Sequence, residues 1–68
     1  MKRIDTSGYS CPEPVLMTKR ALKSSGQGLE VIVDNVASRE NVTRFAQATG
    51  YSVGCVSEGS RWILTLTK

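Results

Sequence analysis

"SGYSCPEPVLMTKRALKSSGQGLEVIVD", residues 7–34, reads as a turn, a helix, a breaker and a strand in that order. Ser7-Gly8-Tyr9 supplies the turn. From Pro12 to Lys23 the apolar residues keep the helical period: Pro14, Val15, Met17, Thr18, Ala21 and Leu22 fall within one arc at 100° per residue. Lys19, Arg20 and Lys23 lie outside that arc, and Leu16 projects among them. "SSGQG" ends the helix, with a glycine suited to the left-handed C-terminal turn. "LEVIVD", Leu29 to Asp34, is then a β-branched run of strand length.

Outward from this stretch the remaining elements fall into place. Residues Lys2 to Thr6 form a short strand around Ile4. A helix joins it to the next strand, which favours parallel pairing through a right-handed crossover. "NVASRE" leads into a second helix with Ser38 as its cap. There Val42, Phe45, Ala46 and Thr49 make the apolar stripe, and Gly50 stops it. "YSVGCVS" and "RWILTLT" are two strands joined by Glu58-Gly59-Ser60 as a hairpin. The order β-α-β-α-β-β predicts an α+β fold: a two-layer sandwich of a mixed four-stranded sheet with both helices on one face. The opposite sheet face is left partly open, a surface for a partner. Sixty-eight residues make one domain with a thin core and no room for a deep substrate pocket.

Cys11 stands immediately before Pro12, with Pro14 two residues further on. Proline is favoured in the first turn of a helix, where the N–H groups lack intrahelical partners. The residue before a proline is driven into extended conformation, which is the geometry of an N-cap. The two prolines therefore mark the helix start and hold Cys11 at its tip. A second register is open, because Ser10 and Glu13 fit a capping box that would shift the cap back by one residue. Either register leaves the sulfur in the first turn, where the helix dipole favours a thiolate. The Glu13 carboxylate opposes that effect if it points toward the sulfur.

Composition removes several chemistries. The chain has no histidine, so a Cys–His nucleophile pair is excluded. Two cysteines without histidine cannot form a four-ligand zinc site, and no metal is expected. Pro14 occupies the position of the second cysteine in a C-x-x-C motif, which disfavours dithiol exchange. No run of about 20 apolar residues spans a membrane, and the N-terminus lacks the apolar core of a signal peptide. A cytoplasmic, monomeric protein is expected, with its thiols reduced. A single activated thiol without its own base suits a group carried as an adduct, loaded and unloaded by partners. The net charge of +3 leaves Lys19, Arg20 and Lys23 either as a solvated helix face or as a docking patch.

"CPEP" opening a helix, behind a first strand and a glycine-containing turn, resembles the TusA/SirA-like family of sulfur carriers. The resemblance covers nearly the whole chain. It implies a fold like that of the C-terminal domain of translation initiation factor 3. It also implies that Cys11 accepts sulfane sulfur as a persulfide, with Ser10, Pro12, Glu13 and Pro14 as motif support. A cysteine desulfurase or other donor protein would load it, and an acceptor protein would take the sulfur on, as in tRNA thiolation. The covalent persulfide would be the only cofactor, and the chain a relay rather than a stand-alone enzyme. The segment "DNVASRENVTRFAQATGYSV" lacks the second-helix proline of the tRNA-thiolation carriers. It is closer to the N-terminal domain of YedF-type proteins of selenium metabolism, which leaves open a second domain after Lys68.

Two other functions compete. A redox-regulatory adaptor would use Cys11 without sulfur transfer. An RNA-binding module would use the basic charge, but Tyr9, Phe45, Tyr51 and Trp62 are not interleaved with basic residues as a stacking platform requires, so no direct nucleic-acid contact is expected. Cys55 alternates with Tyr51 and Val53 and is expected to pack in the core, or to reach Cys11 under oxidation. Trp62 shares a strand face with Leu64 and Leu66 and is expected to be core as well.

Overall fold

A computed structural model describes residues 2–9, 13–25 and 28–68. The elements follow the expected order: β1 (Lys2–Asp5), α1 (Glu13–Ser25), β2 (Gly28–Val33), α2 (Val36–Ala48), β3 (Ser52–Glu58) and β4 (Arg61–Thr67). They form one mixed sheet in the order β1-β2-β4-β3. β1 pairs in parallel with β2, while β4 lies antiparallel to both β2 and β3. Both helices cover the same face, as the α+β reading expects. No helix among the described residues is long and apolar enough to cross a membrane.

Alternation along the strands sorts the side chains between the two faces. On the covered face one row runs Ile4, Val31, Leu64 and Cys55 across the four strands. A second runs through Leu29, Leu66 and Val53. Leu29, Val31, Val33, Leu64 and Leu66 pack against Ala21, Leu22, Val42 and Ala46 of the helices to form the core. Pro14 and Thr18 are buried on the same side of α1, and Lys19, Arg20 and Lys23 are exposed on the other. The open face carries the Arg3–Glu30 ion pair at 3.0 Å and a row of Ile32, Ile63 and Val56. Val56 is 58% exposed, at the edge strand.

Several details differ from the sequence expectation. Cys55 is on the covered face but is exposed, not core. It sits on the edge strand β3, where the row of Val31 and Leu64 has run out from under the helices. Trp62 is only partly buried; it packs against the core and carries the Arg39 guanidinium 5.0 Å from its ring centre. The cap of α2 is Asn35, not Ser38: Asn35 has extended backbone, and its side-chain oxygen accepts the Ser38 N–H at 2.7 Å. Ser38 is instead the third helical residue and is buried. The β3–β4 turn is shorter than expected, because Glu58 already pairs with Arg61. Gly59 at φ +63°, followed by Ser60 without a positive φ, fits the type II′ geometry that puts glycine first. The first helix is described from Glu13, so the expected start at Pro12 and the breaker glycine Gly26 lie outside the described residues.

Candidate functional site

Because β1 and β2 are parallel, both end at the same edge of the sheet, where Asp5 pairs with Ile32. Loops at this edge are where open α/β sheets bind ligands. Thr6 prolongs β1 by one step: its N–H and its Oγ1 both donate to the Ile32 carbonyl, at 2.9 and 2.6 Å. The chain then turns. Tyr9 N–H donates to the Thr6 carbonyl at 3.2 Å, and Gly8 takes φ +85°, a conformation that costs a residue with a Cβ.

Asp34 ties this turn to the second helix. Its Oδ2 accepts the Gly8 N–H at 2.9 Å, and its Oδ1 accepts from the Asn35 side-chain amide at 3.0 Å. Asn35 in turn caps α2. One short chain of hydrogen bonds thus runs from the loop preceding residue 10, through the end of β2, to the N-terminus of α2. Asp5 adds a local contact. The neighbouring Ser7 hydroxyl and N–H hold its carboxyl below the ordinary carboxylate value, the N–H at 2.8 Å being the contact with full hydrogen-bond geometry.

On the other side of residues 10–12, α1 opens with Glu13 and the buried Pro14. The Pro14 carbonyl accepts the Thr18 hydroxyl at 2.8 Å, in the back-bonding pattern of a buried helical threonine. Pro14 and Val15 border a narrow gap whose other wall is Ser38 and Asn41. The first turns of the two helices therefore stand side by side, at the sheet edge where β1 and β2 end. Ser10, Cys11 and Pro12 themselves lie outside the described residues. What the structure describes is what flanks them in sequence, Tyr9 before and Glu13 and Pro14 after, together with Asp34 and Asn35, which join the Gly8 turn to the start of α2.

Lys19, Arg20 and Lys23 are not part of this cluster. At about 1.5 Å per residue, Lys23 lies roughly 15 Å along the helix axis from Glu13. Lys19 and Lys23 rim an open groove floored by Leu22, Phe45 and Tyr51, with Lys68 placed over the Tyr51 ring at 5.1 Å. Sequence reasoning missed Asp34 and Asn35, whose roles depend on the loop that they meet across the sheet. It also missed two exposed apolar side chains near the site, Tyr9 at 49% and Val36 at 50% exposure.

Residues 2–68 match the family model described as "Sulfurtransferase TusA". The chain belongs to the TusA family. A putative sulfur carrier protein of Methanocaldococcus jannaschii is 42% identical over 71 residues, covering all of this chain and 95% of that protein. The sulfur carrier protein TusA of Allochromatium vinosum is 41% identical over 51 residues, which is 72% of this chain and 67% of that one. Among solved structures, a SirA-like protein from Desulfitobacterium hafniense superposes with a TM-score of 0.90 at 32% identity, covering 98% of this chain and 96% of its own. The TusA/SirA-like resemblance and the expected β-α-β-α-β-β fold both hold, and membership in this sulfur-carrier family calls for a sulfur donor and a sulfur acceptor.

Proposed function

We propose that Cys11 is the sulfur-bearing residue and that the chain relays sulfane sulfur as a persulfide between two proteins. The observation that carries this reading is the sequence C-P-E-P running into α1, whose first two residues are Glu13 and Pro14, in a chain of the TusA family. In the loading step the Cys11 thiolate attacks the outer sulfur of a donor persulfide. A new S–S bond forms on Cys11, the donor's S–S bond breaks, and the donor leaves as a thiolate. The acceptor repeats the same exchange on Cys11. Neither step needs a histidine or a metal, which agrees with a chain that has no histidine. A cysteine desulfurase is the proposed donor. The acceptor lies in sulfur or selenium metabolism, with tRNA thiolation as one example.

Docking has two supports. Tyr9 and Val36 expose apolar surface around the loop and the α2 cap, and Leu16 does so one turn into α1. Lys19, Arg20 and Lys23 add positive charge along α1 for an acidic partner surface. Incubation with a cysteine desulfurase and cysteine should add one sulfur atom to the wild type and none to Cys11→Ser, read by intact-mass spectrometry. No adduct on the wild type with several desulfurases would sink the relay reading, and an adduct on both proteins would move the site elsewhere. Peroxide producing a sulfenic acid at Cys11 in a protein that desulfurases cannot load would instead mark a redox adaptor.

A further inference from the structure

A second open groove, of about 450 Å³, lies between α2 and the edge strand β3. It is on the opposite flank of α2 from the gap that faces α1, so it is separate from the cluster at the first turns of the two helices. Arg39, Glu40, Thr43, Arg44 and Gln47 form the helix wall, and the Cys55 thiol is exposed on the strand wall. Spacings of one, four, five and eight from Arg39 put all five helix residues on one stripe. The Arg39 guanidinium is steadied on the Trp62 ring, a contact that leaves its charge in place. Arg44 is exposed and has no ion-pair partner among the described residues. Two guanidiniums against one carboxylate, with the Thr43 hydroxyl and the Gln47 amide on the same wall, favour a small anion that can also accept hydrogen bonds.

We infer that this groove binds a low-molecular-weight disulfide bearing carboxylates and takes one half of it as a mixed disulfide on Cys55. The arginines hold the carboxylates while the Cys55 thiolate attacks the nearer ligand sulfur. The Cys55–ligand S–S bond forms, the ligand's own S–S bond breaks, and the second half leaves as a thiolate. The Cys55 proton passes to solvent. Cys55 sulfur is oxidised and the departing sulfur is reduced, so the disulfide is the only oxidant required. The inference does not rest on the sulfur-relay reading, because it concerns the thiol that the relay does not use.

The test uses the Cys11→Ser chain, which leaves Cys55 as the one thiol, with glutathione disulfide as the anionic probe and cystamine as the cationic one. Intact-mass spectrometry gives the rate of adduct formation for each. Arg44→Gln should slow the reaction with glutathione disulfide about two- to fivefold, as loss of one exposed charge contact would, and should not slow the reaction with cystamine. Glu40→Gln should change the glutathione rate in the opposite direction by a similar factor. Arg44→Lys should recover part of the loss, and the preference should fade in about 1 M salt. Failure of Cys55 to react with glutathione disulfide would overturn the inference. So would an Arg44→Gln change that slows both probes equally, since that is a loss of thiol access rather than of anion binding.

Discussion

Asp5 ends β1 with its carboxylate turned onto Ser7, whose N–H it accepts at 2.8 Å. The hydroxyl and N–H of Ser7 hold the ionised form, so the folded pKa lies below the ordinary value of 3.8. A carboxyl depressed in the folded state binds its proton more readily when the chain unfolds. Its contribution is therefore fully present above the unfolded value of about 3.9 and is lost as pH falls through the folded one. Thermal unfolding of the wild type and Asp5→Asn, compared from pH 6 downward, should show a constant gap above about pH 5 that narrows below about pH 4. A gap that stays the same down to pH 2 would remove Asp5 as a titrating contact. The contact is local, an Asx turn in which the Asp5 side chain accepts the N–H two residues on, so the D-x-S spacing of "RIDTS" is enough to permit it.

At the scale of elements, each helix face was legible and the second helix start was not. The arc of Pro14, Thr18, Ala21 and Leu22 is buried as its period predicts, since burial on a helix follows directly from spacing. Capping depends instead on where the preceding strand stops. "DNVAS" offers both Asn35 and Ser38 as caps. The choice falls to Asn35 because β2 ends at Val33 and Asp34 turns outward to the Gly8 N–H. Alternation had a similar limit at Cys55: a period of two says which face a side chain takes, and not whether a helix reaches far enough to cover it. Asn35 should therefore be worth more than its neighbour as a cap. Asn35→Ala should lower stability by about 1 kcal/mol, within the usual range for a lost N-cap, whereas Asn35→Ser should keep most of it. Urea denaturation measures both, and equal losses in the two variants would mean that the cap is not what Asn35 contributes.

The whole molecule has one core layer, and everything functional hangs from its rim. The loop before residue 10 and the first turns of both helices meet at one end of that layer, and the groove beside Cys55 opens on the other flank of α2. Leu64 is central to that layer: it is fully buried and sits opposite Val31 on one side and Cys55 on the other. A domain of 68 residues has a total stability of about 3–10 kcal/mol at 0.05–0.15 kcal/mol per residue. Removing a buried leucine side chain costs about 2–5 kcal/mol, because the surrounding atoms close only part of the cavity. One such change is comparable with the whole margin. Leu64→Ala should thus move the urea midpoint far down or leave the chain largely unfolded at 37 °C. Leu16→Ala, at 37% exposure on α1, should shift stability by no more than about 0.5 kcal/mol. Sulfur loading of Cys11 should follow the folded fraction in Leu64→Ala. Loading that persists in an unfolded Leu64→Ala chain would show that the donor reads the C-P-E-P segment alone, with no need of the hydrogen bonds by which Asp34 and Asn35 join the Gly8 turn to α2.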